Sequence, residues 1–474
     1  MQFPDEMNFA GDYRLKDVVL HTINGEKIDI KNLLIELNVY ESINKNSIYG
    51  NIIIRDSSNL IYYKSLCGQE KISFLLYTPG ATGNNRIDFK EFNARVYKIS
   101  DITRTIEREQ SYRLHFTTQE AIRNTRTRIS RAYEDTPSEI VKTILRDPNI
   151  IATKKNIFVE KTVNSHKLIA PNVRPFDFIR TIKKRSESQY DKNTGYLFYE
   201  NHRGYNFRSF SSLTHKNNEP KEVVEKYTVT SQSRASDDPS FRDIGMDMRA
   251  IRKYTIMKKN DYLANVSTGM LGSTHYTHDI HTKTFTKTQT DYFSEFNIRK
   301  HVDDEYGFSP LYSRILPETF DNKNVGEFPK SNIYVSPRAT KLHSQSVSDP
   351  REYDNRSNIW LQKYIETFLN FDSIRLQLEV AGNTYIAVGD IIDVQLPSLE
   401  PIQKKSDDNY DKHLSGRWLI TDIRHIVDVR EHQMVIECVR DTYHSGLFAV
   451  SQPIGDDEPS MKSTISINTE NDAS

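Results

Sequence analysis

Apolar residues recur at every second position in many short segments of this chain. Such a period is typical of a β-strand with one buried and one solvent-facing side. The period runs through residues 33–39, 72–76, 92–96 and 112–116. Turn-forming pairs such as Asn24-Gly25 and Pro79-Gly80 separate the segments, and no long helical pattern intervenes. We therefore expect antiparallel neighbours in a first β-barrel spanning residues 12–125.

Residues 126–215 are predicted to form a small α+β domain. Thr136-Pro137-Ser138-Glu139 reads as a capping box with proline at the first helical position, and four apolar residues follow on one helical face. A second short helix is expected after Pro175, ending near Ser188. Residues 195–209 then place aromatic strands on either side of Asn201-His202-Arg203-Gly204, which predicts a hairpin.

A polar segment, residues 216–356, is expected to contain strands near 251–257 and 332–335 and to be part of, and inserted in, a second β-barrel. Residues 357–448 supply the remainder of that barrel. This part opens with a helix capped by Ser357 and followed by Trp360 or Leu361, Tyr364, Ile365 and Phe368. Its strands are expected at residues 374–380, 392–396, 417–427 and 433–440. Residues 449–474 read as a flexible tail.

Composition excludes several classes of function. Lys+Arg and Asp+Glu both number 64 among 474 residues, so global charge does not argue for nucleic-acid or membrane capture. Hydrophobic residues make up only 36%, while 26 Tyr and 22 Phe favour strands and partner-facing surfaces. The two cysteines, Cys67 and Cys438, lie in distant segments and encode neither a disulfide framework nor a cysteine-based metal site.

The first 14 residues contain Asp5, Glu6 and Asp12 and lack an apolar core, so we expect no signal peptide and no export by that route. The longest apolar runs are far shorter than the roughly 20 residues that a membrane-spanning helix needs. We expect a soluble protein that folds in a reducing compartment.

His275, His278 and His281 are the only cluster with metal-ligand residue types. Their spacing suits one face of a helix, but the surrounding Thr, Tyr, Phe and Lys favour extended structure, where side chains alternate sides. We favour a structural or solvated role over a metal site.

Four groups of adjacent carboxylates could suggest acid and base chemistry. They are Glu134-Asp135, Asp237-Asp238, Asp303-Asp304-Glu305 and Asp407-Asp408. A catalytic acid needs a desolvated setting that raises its pKa, whereas these groups lie in polar surroundings. We expect solvated loop charge at all four.

Nucleotide and nucleophile motifs are absent from the sequence: it contains no GxxxxGK, no GxGxxG and no GxSxG. The basic stretch from Arg123 to Arg131, with Arg126 and Arg128, could meet phosphate, but pairing with an acidic protein surface or lining a barrel exit explains it equally well. We expect no catalytic residue, no cofactor and no metal.

The order of barrel, helix-and-hairpin unit and second barrel resembles the central baseplate hub proteins of contractile-tailed bacteriophages, a family related to the spike hub domains of type VI secretion. Five segments carry the resemblance: residues 40–43 (YESI) with 49–56 (YGNIIIRD), 195–200 (GYLFYE), 204–209 (GYNFRS), 388–394 (VGDIIDV) and 415–425 (SGRWLITDIRH). They look like the paired strands and the hairpin of such hubs, over most of residues 12–448.

The resemblance implies a mainly β fold with an α+β insertion and two tail-tube-like antiparallel barrels. It also implies a homotrimer whose six similar barrels match a threefold spike to a sixfold tail tube around a channel for tape measure protein and DNA. The implied partners are the central spike, the tube or its initiator, the tape measure protein and neighbouring baseplate wedge proteins. The implied location is the virion tail baseplate, after assembly in the host cytoplasm. The resemblance implies no membrane partner and no enzymatic activity.

Two features differ from some members of that family. The chain ends about 25 residues after its last predicted strand, so we expect the spike and any lysozyme activity on separate proteins. The polar segment is also long for a minimal hub, and we expect its loops to face neighbouring baseplate proteins. Two other functions stay open: a peripheral carbohydrate- or receptor-binding module, and a metal-dependent hydrolase that uses His278 and its neighbours.

Overall fold

The computed structural model describes residues 6–92, 94–106, 109–163, 165–216, 219–229, 243–258, 260–279, 283–296, 300–303, 332–338, 364, 367–398, 410–411, 413–443 and 465–467. Within these residues, no helix has both the length and the apolar character required to cross a bilayer. Cys67 is exposed and Cys438 is buried, and the two thiols are free, as expected.

The N-terminal part is a run of strands, as the alternation predicted. Its elements are β1 (Arg14–His21), β2 (Lys27–Asp29), β3 (Leu34–Ser42), β4 (Tyr49–Asp56), α1 (Leu60–Tyr63), β5 (Lys71–Tyr77), β6 (Ile87–Asp88), β7 (Ala94–Ile106) and β8 (Glu109–Thr117). In β8, Tyr112, Leu114 and Phe116 are buried while the residues between them are only half-buried. The two-residue period therefore predicted both the strand and its inner face.

The middle part mixes helices and strands. Its elements are α2 (Gln119–Arg126), β9 (Ile129–Asp135), α3 (Pro137–Arg146), β10 (Ile157–Val159), β11 (His166–Val173), α4 (Pro175–Lys184), β12 (Tyr196–Asn201), β13 (Gly204–Ser209) and α5 (Phe210–Thr214). Both predicted helices begin at their prolines. The predicted capping box at Thr136 is wrong in detail, because the Thr136 hydroxyl contacts the Ser138 hydroxyl instead of a helix N–H.

The polar segment contributes to three sheets, of which the smallest is the pair β14–β15. Its elements are β14 (His215–Lys216), β15 (Glu219–Pro220), β16 (Glu225–Thr228), α6 (Ile244–Met248), β17 (Ile251–Lys258), α7 (Tyr262–Ser267), β18 (Gly272–Asp279), β19 (Thr284–Asp291), α8 (Tyr292–Phe296) and β20 (Ile333–Arg338). The strands predicted near 251–257 and 332–335 are confirmed as β17 and β20. Strands β16 and β17 pair with later strands, whereas β18, β19 and β20 belong to a separate four-stranded sheet.

The last strands are β21 (Ile374–Ala381), β22 (Ile391–Gln395), β23 (Gly416–Asp428), β24 (His432–Arg440) and β25 (Ile465–Ile467). Of the helix expected after Ser357, residues 364 and 367–371 are helical and the N-cap lies outside the described residues. Within the segment expected to be a flexible tail, Ile465–Ile467 pairs with β19 and completes the four-stranded sheet.

Strands from both ends of the chain form one fourteen-stranded sheet. Its main order is β17-β21-β24-β23-β3-β4-β8-β7-β5-β1-β2, with β16, β22 and β6 beside that path. The prediction of two antiparallel β-barrels is not confirmed: strands from both predicted barrels belong to one continuous sheet among the described residues. The reason is β23, whose first residues pair with β22 and whose last residues, 422–428, pair with β3.

We call strands β1–β8 the N-terminal half of the sheet and strands β16, β17 and β21–β24 the C-terminal half. Each half has its own hydrophobic core, and the middle part has a third. The halves exchange residues where they meet, since Ile43 packs in the C-terminal core and Val427 of β23 packs in the N-terminal core. The β3–β23 pairing is therefore a junction, and we use that name for it below.

Candidate functional site

The hairpin β12–β13 is buried on both faces, which the alternating aromatics did not predict. All residues of both strands are buried except the half-buried Arg208. One set of side chains belongs to the core of the middle part: Tyr196, Phe198, Tyr205 and Phe207. Leu197 and Tyr199 point the other way, into the C-terminal core. The hairpin thus joins two cores and carries its turn, His202-Arg203, to the junction.

One side of the turn binds the N-terminal half of the sheet. The backbone N–H of His202 donates to Glu41 Oε1 at 2.9 Å, and the ring Nδ1 lies 2.8 Å from the same oxygen. Both side chains are fully buried. Burial favours the neutral carboxyl, but the contacts with His202 outweigh it and lower the pKa of Glu41.

The other side of the turn binds the C-terminal half. Arg203 donates to Asp390 Oδ1 at 3.0 Å and to the Tyr385 carbonyl at 2.5 Å, while Asn201 Nδ2 donates to the Val388 carbonyl at 3.1 Å. Gly389 lies next to these groups at φ +92°, and a Cβ there would stand 2.2 Å from the Tyr199 hydroxyl. The close approach of the hairpin therefore requires glycine.

A buried ion cluster lies close to the hairpin turn, around Glu200. Lys155 Nζ contacts Glu200 and lies 3.3 Å from Glu120 Oε2, and all three side chains are buried. Glu200 also accepts from the Ile48 backbone N–H at 3.0 Å and from the Thr118 hydroxyl at 3.1 Å. Burial opposes the ammonium, yet the two carboxylates raise the pKa of Lys155. The cluster ties the middle part to the N-terminal half.

Two histidines face each other beside the junction. His425 Nδ1 on β23 lies 3.1 Å from His432 Nε2 on β24. The pKa of each imidazole is lowered to about 3: burial is the cause for His432, and for His425 burial is the larger cause and the neighbouring His432 the next. A Cβ at Gly382 would stand 2.0 Å from the His432 ring, so position 382, too, requires glycine.

A second buried ion pair corrects one sequence expectation. Asp303 was expected to be solvated loop charge, but it is fully buried and accepts from Arg440 Nη2 at 2.5 Å. Nearby, His301 Nδ1 lies 2.8 Å from Asp441 Oδ2. These pairs hold residues 300–303 against the end of β24. Asp303 is therefore withdrawn from water, although the sequence around it is polar. Asp304 and Glu305 lie outside the described residues.

The outer face of the large sheet carries charge of both signs across neighbouring strands. Arg424 Nε donates to Asn38 Oδ1 at 3.0 Å, and its guanidinium lies 3.7 Å from a Glu36 oxygen. Arg375 lies 3.2 Å from Glu437, and Lys253 lies 3.1 Å from Glu379. Tyr40 and Tyr49 stack on the same face with ring centroids 5.0 Å apart. One wet face, built from cross-strand pairs, thus spans both halves.

Two of the three clustered histidines lie in a strand and not on one face of a helix. His275 and His278 lie on opposite faces of β18: His275 is buried with Nε2 2.7 Å from the Ser336 hydroxyl, while His278 is exposed. His281 lies outside the described residues. Among the described residues, no group of three or more His, Cys, Asp or Glu side chains is arranged to hold a metal ion.

The remaining candidates are dispersed. Glu134 and Asp135 are exposed, as expected, but they lie on β9 and not in a loop, and Glu134 lies 3.4 Å from Lys167. Asp237-Asp238 and Asp407-Asp408 lie outside the described residues. In the basic stretch, Arg123 donates to the Ile151 carbonyl at 2.9 Å and Arg131 lies 3.4 Å from Asp147, whereas Arg126 and Arg128 are exposed.

Sequence reasoning missed the ionisable residues at the junction and beside the hairpin turn. Glu41 and Glu200 are single carboxylates and Lys155 belongs to the ordinary basic pair Lys154-Lys155, whereas the motifs considered were clusters of carboxylates, histidines or arginines. The available signal was local: Glu200 ends the apolar run Tyr196–Tyr199, in which neither face of the strand is polar. A lone charge in such a strand must find a buried partner.

Comparison with known proteins gives one sequence relative. Over 421 residues the chain is 22% identical to the probable baseplate hub protein gp334 of Vibrio phage KVP40, covering 87% of this chain and 91% of that protein. No protein-family profile matches the chain.

Two solved structures are similar at low identity. The tail protein from Neisseria meningitidis MC58 gives a TM-score of 0.48 at 9% identity, over 90% of this chain and 97% of that one. The 43 kDa tail protein of prophage MuSo2 from Shewanella oneidensis gives 0.47 at 10% identity, over 90% and 98%. With sequence similarity to gp334 along most of both chains, the resemblance of this protein to phage baseplate hub proteins is confirmed.

Proposed function

We propose that this chain is a structural subunit of a phage baseplate hub. Three copies form a ring that matches a threefold central spike to a sixfold tail tube, with a channel for tape measure protein and DNA. The observation that carries the proposal is the continuous sheet, whose two halves each have a core and which presents one wet face across both. In this proposal the two halves of each of three copies take equivalent positions around the ring, which gives six quasi-equivalent units.

The wet face suits the wall of such a channel. Its Arg and Lys side chains are paired with carboxylates on neighbouring strands, so the face offers polar groups without a large excess of one sign. A wall of this kind stays hydrated and does not hold a polyanion by counterion release. DNA would therefore pass through without being bound.

The buried face and its junction suit a rigid adaptor. The hairpin turn binds both halves at once, through Glu41 on one side and Asp390 on the other. Fixing the angle between the halves fixes the spacing of the six units, which is what an adaptor between two symmetries requires. The function is then geometric and involves no turnover.

The partners in this proposal are the central spike, the tail tube or its initiator, the tape measure protein and baseplate wedge proteins. The particle is a contractile tail, assembled in the host cytoplasm, and the subunit is part of the virion baseplate. The similarity to gp334 supports the hub role.

Native mass spectrometry at low micromolar concentration tests the trimer. A trimer of the 55.2 kDa chain would weigh three times that mass, about 166 kDa. Electron microscopy of that species is expected to show a ring with a central bore. A species that stays monomeric alone and when co-expressed with its spike would contradict the proposal, and binding of glycans by that monomer would favour a peripheral receptor-binding module.

A further inference from the structure

The outer face of the large sheet changes in character towards its β2 edge. Around the junction its Arg and Lys side chains are paired with carboxylates. At the other end, one line of directly opposite residues crosses β2, β1, β5 and β7 as Lys27, His21, Lys71 and Arg95. Burial lowers the pKa of His21, and the two lysines beside it lower it further. Basic residues therefore occupy the same level of four neighbouring strands.

The strand register places this line on the outer face. From Arg95 it continues towards the junction through Thr117, Tyr49, Tyr40 and Arg424. Tyr40 and Arg424 belong to the wet face described above. Ile72 and Ala94, which adjoin Lys71 and Arg95 along their strands, are fully buried on the other side of the sheet.

Helix α2 adds two further cations. It begins directly after β8, the strand that pairs with β7, and contributes Arg123 and Arg126. Burial lowers the pKa of Arg95, and the nearby Arg126 and Arg123 lower it further, so the three guanidinium groups repel one another. Arg123 is held by its hydrogen bond to the Ile151 carbonyl at 2.9 Å. We define the basic patch as Lys27, Lys71, Arg95, Arg123 and Arg126.

The basic patch has no counterion in the described part of the chain, where none of its five members forms an ion pair. Three carboxylates close to it in sequence are used elsewhere. Glu26 pairs with Lys64, Glu70 accepts two backbone N–H bonds at 2.7 and 2.9 Å, and Glu120 belongs to the buried ion cluster. Like charges directly opposite each other destabilise a sheet. The fold therefore contains a repulsion that an anionic partner would relieve.

We propose that the basic patch binds an acidic helix of a partner protein, which lies across the strands on the outer face. Neighbouring strands are about 4.8 Å apart, so the line from Lys27 to Arg95 is about 14 Å long. Residues three or four apart on a helix have Cβ atoms about 5–6 Å apart, so a short run of Glu or Asp matches that line. Arginines bind such carboxylates in bidentate pairs. One copy of the chain carries the whole patch, so this inference does not rest on the proposed ring.

The extent of the basic patch favours a protein helix over nucleic acid. Towards the junction, the same face carries the carboxylates of Glu36, Glu437 and Glu379. A DNA duplex that crosses the sheet would bring its phosphates against these carboxylates. The acidic part of a helix can be as short as the patch, so a protein partner avoids that repulsion.

A binding measurement tests the partner. The probe is a fluorescently labelled, Ala-rich helical peptide with Glu residues along one face, and fluorescence anisotropy is recorded in low salt. We expect the Lys71→Glu, Arg126→Glu double variant, in which both altered side chains are exposed, to bind it roughly tenfold more weakly or worse than wild type. The matched control is Lys184→Glu, Arg430→Glu, which makes the same charge change at exposed positions outside the patch and should keep wild-type affinity. Circular dichroism spectra equal to wild type show that both variants are folded.

Charge reversal separates direct contact from a structural effect. The Lys71→Glu, Arg126→Glu variant is expected to bind a peptide in which Lys replaces every Glu, and the wild-type protein is not. Three results would overturn the proposal: no binding of the acidic peptide, an equal loss in the two double variants, or equal binding of a peptide whose Glu residues are scattered around the helix. Duplex DNA that binds more tightly than the acidic peptide, and only when the patch is intact, would assign the patch to nucleic acid instead.

A stability measurement tests the repulsion itself. Lys71→Gln removes a cation that stands directly opposite Arg95, so the midpoint of urea unfolding is expected to rise, whereas Arg430→Gln should leave it unchanged. A lower midpoint for Lys71→Gln would show that Lys71 stabilises the fold and would overturn the inference that the patch awaits a partner.

Native mass spectrometry separates this inference from the ring. A Lys71→Glu, Arg126→Glu variant that keeps the oligomeric state of the wild type but loses the peptide supports the inference, whatever that state is. A variant that loses a wild-type trimer would show that the patch contacts a second copy of the chain, and would overturn it.

Discussion

The junction and the outer face of the same sheet use the same residue types for different purposes. Around the hairpin, Glu41, Lys155 and Glu200 are withdrawn from water and bind specific partners. On the outer face, Arg375 and Lys253 pair with carboxylates that remain partly in water. A buried charge left without its partner is costly, whereas an exposed one regains hydration. The buried pairs therefore stabilise the contacts between the middle part and the sheet, whereas the pairs on the outer face mainly provide a polar surface.

The largest expected effect is at the buried ion cluster. Lys155→Met leaves two neighbouring carboxylates without a counterion, and we expect the free energy of unfolding to fall by about 3–5 kcal/mol. Urea unfolding followed by circular dichroism measures the change. The matched control is Lys142→Met, which removes an exposed lysine paired with Glu139 on α3 and should cost less than about 1 kcal/mol. Equal losses in the two variants would remove the distinction between the regions.

The second largest expected effect is a loss of stability at the junction in acid. The pKa of His425 and of His432 is about 3 when folded and 6.5 ordinarily, so unfolded chains take up protons below pH 6.5 that the fold excludes. Stability is therefore complete above pH 6.5 and falls as the pH drops towards 3. Between pH 7.5 and 5.5 these two groups should cost about 3 kcal/mol. Urea titrations at both values measure it, and a His425→Gln, His432→Gln double variant should lack that part of the loss.

The hairpin turn offers a smaller, local test. Arg203→Ala removes the hydrogen bonds to Asp390 and to the Tyr385 carbonyl. We expect a loss of about 2 kcal/mol, because hydrogen bonds to charged groups contribute roughly 1.5–3 kcal/mol. Hydrogen exchange should rise around residues 385–390 and not around residues 109–117. Equally faster hydrogen exchange in both regions would contradict a local role for Arg203.

The outer face should give the smallest change. Arg375→Gln removes the partly exposed charge pairs with Asp372 and Glu437, and we expect a loss within about 1 kcal/mol. Thermal unfolding in low and high salt measures it, and the difference from wild type should shrink in high salt. A loss as large as that of Lys155→Met would mean that the outer face, too, holds the fold together.

Much of the fold was readable from periodicity. Strands such as β8 and β21 alternate, and Pro137 and Pro175 begin helices where expected. The error at Ile35 shows the limit. The alternation placed Ile35 in the core with Leu37, but a register shift between Leu34 and Glu36 turns it to the solvent. A β-bulge changes which residues of a strand face the core, and the apolar pattern of the sequence does not show where the bulge occurs.

The continuous sheet and the candidate site were beyond the local pattern. Alternation indicates that a segment is a strand and not which strand it pairs with, so the partnership of β23 with both β22 and β3 was not foreseen. The same holds for Asp303, whose burial depends on Arg440 far along the chain. Contacts between distant segments determine both the junction and its charges.

The shared strand β23 also bears on how the protein is made. Asn38 and Arg424, which touch across the junction, are 386 residues apart in the chain. At about 5–20 residues per second, synthesis of the intervening chain takes on the order of 20–80 s. Throughout that time, the edge of β3 lacks its permanent neighbour. The nascent chain therefore spends most of its translation with this part of the sheet incomplete, which gives chaperones a long interval in which to bind it.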